Sequence, residues 1–270
     1  MAGIADPNAE ADTHADASFR RHAADALILA GGGAAILLQL ADPRVARGVA
    51  EHSGFREAPT QRLFGTLEYV YAVSSDEDAL VRAAVAHVNA KHGPVRGAGY
   101  SAFDADAQRF VASTLTAVGI ELEERLGGPL PPDVADHFVR RYGRLAAALQ
   151  GGRAGWPGSR AEFDRWWHRQ LATLDVGGDA RAVAHALLTS VNVPWWLRAG
   201  QPVLRLLTAA LLPEPLRSAY GFRWTPRTAR VAGGWLSALA VVRRVVPAPI
   251  RALPMRRSLE RLRARTEAGA

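Results

Sequence analysis

The chain has 270 residues, 49% of them hydrophobic and 22% charged, which gives it apolar material for a real core and excludes a disordered polar chain. The absence of cysteine excludes disulfides, thiolate zinc sites, cysteine-held iron–sulfur clusters and a cysteine-ligated haem. The net charge of +7 rests on arginine, Lys91 being the one lysine; this sign suits nucleic acid, an anionic membrane surface or haem propionates without choosing among them.

Residues 1–18 are polar and acidic, without the basic start and apolar run of a secretory signal, and are expected to form a loose tail ahead of one helical domain over residues 19–266. From there, apolar residues recur at three- and four-residue spacing and strand-like alternation is scarce, which predicts an all-α, multi-helix domain. The expected helices in the first half are Phe19–Leu29, Ala34–Leu40, Pro43–Glu51, Thr60–Val73, Asp76–Lys91, Asp104–Leu126 and Pro132–Leu149. Those in the second half are Arg160–Leu174, Asp179–Leu188, Pro194–Ala210, Pro215–Tyr220, Pro226–Val246 and Met255–Arg265. Ser75-Asp76 offers an N-cap, Gly93-Pro94 stops the helix before it, and Pro131-Pro132-Asp133 and Thr225-Pro226 read as helix starts. The glycine-rich stretch from Gly151 to Gly158 is the best internal boundary and is too weak to divide the chain. The apolar run Ala26–Ala41 is broken by Gly31-Gly32-Gly33 and falls short of the roughly 20 residues of a spanning helix. The segment Val231–Ile250, with Arg243 and Arg244 inside it, reads either as a core-facing helix with an arginine edge or as a helix lying on a membrane surface.

Two short patterns carry chemistry. Arg62 and Thr66 are four apart, so on a helix a guanidinium and a hydroxyl share one face beside the apolar Leu63 and Leu67. That pair can line a ligand pocket between helices, or it can be a solvent-facing arginine beside a threonine bonded to its own backbone. His92 ends an expected helix just before Gly93-Pro94, where an imidazole can point into a cavity as an iron ligand or can simply cap the helix C-terminus. His87 lies about 140° round the same helix and is poorly placed to share a metal with it. No zinc signature, Ser–His–Asp arrangement, Walker loop or dinucleotide fingerprint is visible, and the arginines are not interleaved with aromatics as a nucleic-acid surface would have them. The adjacent pairs Trp166-Trp167 and Trp195-Trp196 let one ring of each pair face the core and the other a groove.

The order of local patterns adds a resemblance. Gly31 to Pro43 leads into Val45 to Ser53; Arg62-xxx-Thr66 follows, then His92-xx-Val95-x-Gly97, Tyr100 to Asp104 and Phe110 to Leu115; Arg140 to Gly143 and Leu211 to Phe222 come later. Over residues 20–260 this resembles the family of bacterial rubber (latex-clearing) oxygenases and the fungal MpaB-type oxygenase. The resemblance implies a helical fold binding b-type haem, with His92 as the proximal iron ligand and Arg62 and Thr66 on the distal side. It further implies dioxygen as co-substrate and a hydrophobic, isoprenoid-like alkene, small or polymeric, as substrate. The chain departs from relatives at Asp42 and Ala112, where many carry histidine, and at Gly65, where some rubber oxygenases carry a lysine able to occupy the distal iron position. Glu51 stands near where those enzymes have a glutamate proposed as base. The expected location is cytoplasmic, with peripheral membrane contact as an option and no nucleic-acid partner. The competing reading is a non-catalytic helical lipid-binding or membrane-surface protein of the same fold; a hydrolase would need a nucleophile that the sequence does not display.

Overall fold

The computed structural model describes the backbone of residues 7–52, 59–189 and 195–268, and the side chains of 12–52, 64–189 and 198–268. In chain order the elements are α1 (Pro7–Ala24), a 3-10 helix (Ala26–Gly31), α2 (Gly32–Leu40), α3 (Pro43–His52), α4 (Pro59–Ser75), α5 (Asp78–His92), β1 (Arg96–Gly97), β2 (Tyr100–Ser101), α6 (Ala105–Gly127) and α7 (Pro132–Ala147). There follow α8 (Arg160–Leu171), α9 (Gly178–Leu188), α10 (Trp195–Leu211), α11 (Glu214–Ala219), α12 (Pro226–Val245), α13 (Ala248–Arg251) and α14 (Leu253–Ala268). The architecture is all-α, with one antiparallel ribbon of two-residue strands pairing Arg96 with Ser101 and Gly97 with Tyr100.

Helix α6 is the central post, packed by α7, α2, α12 and the 3-10 helix. Its Phe110, Ala112, Val118, Ile120 and Leu122 are buried, and so are three hydroxyls. Ser113, Thr114 and Thr116 satisfy themselves by donating to the carbonyls of Phe110 (2.6 Å), Val111 (2.7 Å) and Ala112 (2.9 Å), so polar residues cross the core without orphaned donors. Caps begin the long helices: Asp104 accepts from Ala107 N at 2.8 Å, and Thr225 and Thr228 form a capping box with Pro226 at the first helical position. Of the tryptophan pairs, Trp167 stacks on Phe163 and Phe110 in the core while Trp166 is half-buried; the side chains of Trp195 and Trp196 lie outside the described residues.

Three sequence expectations need correction. The acidic segment expected as a loose tail through residue 18 is helix from Pro7, and Ala15 and Phe19 are buried against α7. The helix expected over Phe19–Leu29 breaks at Asp25, whose carboxylate accepts from Leu27 N at 3.0 Å and starts the 3-10 helix. Asp76 is not the N-cap of α5: it sits in the left-handed region (φ 63°) between α4 and α5. There its carboxylate receives Arg141 at 2.8 and 3.0 Å, Arg20 at 3.0 Å, and Arg144. Aspartate tolerates that backbone better than most residues, and the three guanidiniums hold it. No single helix among the described residues is long and apolar enough to cross a membrane; Asp12–Ala24 of α1 and the segment Ala26–Leu40 would pass together by length and composition but are bent by 63°.

Candidate functional site

Helices α4 and α5 form an antiparallel hairpin turned at Asp76, with α14 laid against both. At a rise of about 1.5 Å per residue, Arg62 stands about 21 Å from that turn and His92 about 24 Å, which puts the two backbones level at the far end of the hairpin. Thr66 is one turn closer to Asp76. The side chain of Arg62 lies outside the described residues. Thr66 is exposed, Phe64 is 60% exposed, and no described atom lies within 4 Å of where a Cβ on Gly65 would be. This turn of α4 therefore stands clear of the core, whereas Tyr69, Tyr71 and Ala72 further along are buried in it.

His92 ends α5 and is half-buried, with its Nδ1 buried. The ring of Phe103, itself 40% exposed, meets the imidazole edge to face at 6.4 Å. What holds this end in place explains the residues that follow. Val95 N donates to the His92 carbonyl at 2.9 Å, and Ala102 N donates to the Val95 carbonyl at 2.9 Å, folding the chain back through the ribbon. Val95 and the ring of Tyr100 pack on Gly48 of α3, where a Cβ would lie 3.3 Å from Val95 Cγ1. Gly97 lies under the same ring, with space for no side chain: a Cβ there would sit 2.6 Å from Tyr100 Cε1. Tyr100 OH donates to Glu51 Oε2 at 2.5 Å and lies 3.2 Å from His52 Nδ1, and Arg47 donates to the Ala98 carbonyl at 3.0 Å. The valine and glycine of His92-xx-Val95-x-Gly97 are thus packing residues that clamp the loop after the imidazole onto α3. The Glu51 bond also pushes the Tyr100 phenol above its ordinary value.

The positions that depart from relatives have structural occupations. Asp42 starts α3 by accepting from Arg44 N at 2.8 Å and pairs with the Arg44 guanidinium at 2.7 Å, which also reaches Asp104 at 3.3 Å. Ala112 is buried in α6. Glu51 holds Tyr100. Among the described residues no three His, Cys, Asp or Glu side chains converge as metal ligands.

A second polar cluster escapes sequence reasoning. His22 of α1 is buried, its Nδ1 donating to Glu123 Oε2 of α6 at 2.8 Å and its Nε2 lying 2.6 Å from Tyr142 OH of α7. Arg243 of α12 donates to Glu123 Oε1 at 2.6 Å and lies 3.5 Å from Asp25, which Arg251 of α13 also engages. Burial pushes the Glu123 carboxyl up, but the His22 bond and charge together with Arg243 outweigh it, leaving it below the usual range. His22 pairs across 101 and 120 residues of sequence, so no local spacing could have announced it.

The family model of the ER-bound oxygenase mpaB/B′ and rubber oxygenase catalytic domain matches residues 19–264. An uncharacterized protein of Mycobacterium bovis and another of Mycobacterium tuberculosis are each 31% identical over 225 residues, covering 78% of this chain and 87% of the relative. No solved structure matches the chain.

Proposed function

Because the chain belongs to the mpaB/rubber oxygenase catalytic-domain family, whose members are oxygenases, we propose that it is a haem-dependent oxygenase with His92 as the protein ligand to the iron. The observation that carries the reading is the far end of the α4–α5 hairpin. There a half-buried imidazole, met by the ring of Phe103 and followed by a loop held on α3, stands level with the turn of α4 that carries Arg62 and the exposed Phe64. Those residues fit a b-type haem in kind: a neutral-capable nitrogen donor for iron, apolar rings for a porphyrin face, and a guanidinium for a propionate. Such a haem supplies the activation of dioxygen for oxidative cleavage of a carbon–carbon double bond.

The chain's own residues do the rest. With Nδ1 of His92 buried, Nε2 would be the nitrogen offered to the iron, and the Val95 and Gly97 contacts hold the loop that follows it on α3. Arg62 offers fixed positive charge to a cofactor carboxylate or to negative charge that develops during the reaction, and Thr66 offers a hydroxyl one turn away. Gly65 brings no amine to the site, so a bound haem would find no competing side chain from this position. Phe64 and Phe103 suit a hydrophobic alkene, isoprenoid-like in shape, as substrate.

The test is an optical spectrum of the purified full chain expressed with a haem precursor. A Soret band is expected in the wild type, lost in His92→Ala and kept in His87→Ala, which alters an exposed imidazole on the same helix. Arg62→Ala and Thr66→Ala should keep the band and lose alkene turnover by roughly 10- to 1000-fold. Full haem absorbance in His92→Ala would refute the ligand assignment.

A further inference from the structure

Nine large hydrophobic side chains are exposed among the described residues, and seven of them lie on α10, α12 and α13 rather than at the His92 end. On α12 they form a stripe: Val231, Trp235, Val242 and Val245 fall at i, i+4, i+11 and i+14, all within about 80° of one another round the helix, with Ala238 between them. Val245 is 72% exposed. Ile250 on α13, at the end of the helix, carries the stripe onward. The opposite stripe of α12, centred on Ala232 and Leu236, packs on the body of the protein, and Arg243 and Arg251 turn inward to Glu123 and Asp25. Those ion pairs pin the helix at its C-terminal end, so it cannot roll to hide its outer stripe.

Charge names what the stripe faces. Residues 215–259 contain nine arginines and no aspartate or glutamate. Arg227, Arg230 and Arg244 are exposed on α12 and make no ion pair among the described residues. Two copies of this face brought together would oppose arginine with arginine, without an acid in the segment to relieve them. A valine–tryptophan stripe bordered by unpaired arginines matches the boundary of an anionic bilayer, where the apolar side chains enter the acyl region and the guanidiniums meet phosphate and carboxylate headgroups.

We propose that the outer face of α12, continued by Ile250, docks the protein peripherally on an anionic lipid surface. The docking does not depend on the haem assignment, and its test leaves that assignment untouched. The purified full chain is floated with phosphatidylcholine vesicles with and without 30% phosphatidylserine (roughly that of an anionic leaflet). The wild type should float with the anionic vesicles, stay behind with the neutral ones and release in high salt. Brominated acyl chains should quench its fluorescence, and Trp235→Phe should remove that quenching. The triple change Arg227→Gln, Arg230→Gln, Arg244→Gln should weaken partition by about 100-fold at unchanged helicity, from roughly fivefold for each surface arginine. Absence of flotation on anionic vesicles overturns the proposal. So does undiminished flotation of the triple variant, or a dimer in solution that protects Trp235 from aqueous quenchers.

Discussion

Gly119→Ala tests the packing logic most sharply, because helix propensity and tertiary packing pull it in opposite directions. Gly119 lies inside α6, where alanine in place of glycine should add about 1 kcal/mol from propensity alone. A Cβ there would stand 2.8 Å from Cζ and 3.3 Å from Cε2 of Tyr142, and closer still to its hydroxyl. Tyr142 has nowhere cheap to go: it is buried, meets Phe19 edge to face at 5.4 Å, and its hydroxyl lies 2.6 Å from His22 Nε2. Forcing the ring aside costs about 1–3 kcal/mol in overpacking and a further 1–3 kcal/mol if the buried His22 nitrogen loses its partner. After the propensity gain, a net loss of about 1–5 kcal/mol is expected, or a drop of roughly 2–20 °C in melting temperature. Urea titration read by circular dichroism measures it, with Gly233→Ala on exposed α12 as the control; nothing lies within 4 Å of a Cβ there, so that change should stabilise by up to about 1 kcal/mol. If Gly119→Ala were as stable as the wild type, the close approach of α6 and α7 argued from this glycine would be wrong.

Two tyrosines two residues apart should behave differently. Tyr69 OH donates to the Leu145 carbonyl at 2.5 Å, and Tyr69→Phe should cost about 1–2 kcal/mol; the buried Tyr71 OH has no hydrogen-bond partner among the described residues, and Tyr71→Phe should be neutral or stabilising in the same urea titration. Gly97→Ala should displace Tyr100 and loosen the loop behind His92, reducing haem retention in competition with apomyoglobin by more than it reduces melting temperature. The folded-state value of Glu123 is lowered below 4.5, so its contribution to stability is present above its unfolded value and lost as pH falls through the folded one. Between pH 7 and pH 3 the urea midpoint should therefore fall more steeply in the wild type than in Glu123→Gln, and equal slopes would remove Glu123 from the account.

Helix starts marked by a side-chain cap or a proline were readable from sequence because the signal is local: Asp104, Pro131-Pro132 and Thr225-Pro226 each act within four residues of themselves. The α1 segment was hidden because its inward face pairs Phe19 with small alanines and His22, among acidic neighbours that read as solvated. The break at Asp25 was hidden because apolar spacing runs on through it, while the side-chain cap that reorients the chain uses a single carboxylate. At the site, a helix stop in a chain without cysteine left His92 open between iron ligand and helix cap, and the family resemblance singled it out as the expected ligand. The reason for Val95 and Gly97 could not be read from sequence, since it is the ring of Tyr100 and the bare backbone of Gly48 on another helix. The outer stripe of α12 was legible as amphipathic, but whether an amphipathic face is covered depends on what packs beside it, which no single segment encodes.

The hairpin geometry makes the Asp76 turn a fulcrum. Arg62 and His92 stand at the tips of two arms more than 20 Å long by helix rise, so each degree of splay at the turn changes their separation by about 0.4 Å. Arg20, Arg141 and Arg144, gripping one carboxylate, set that angle from the far side of the molecule. A substitution there would retune the spacing of the two arms without touching either residue proposed to meet a ligand, and misplacement by about 1 Å is enough to change a rate 100-fold.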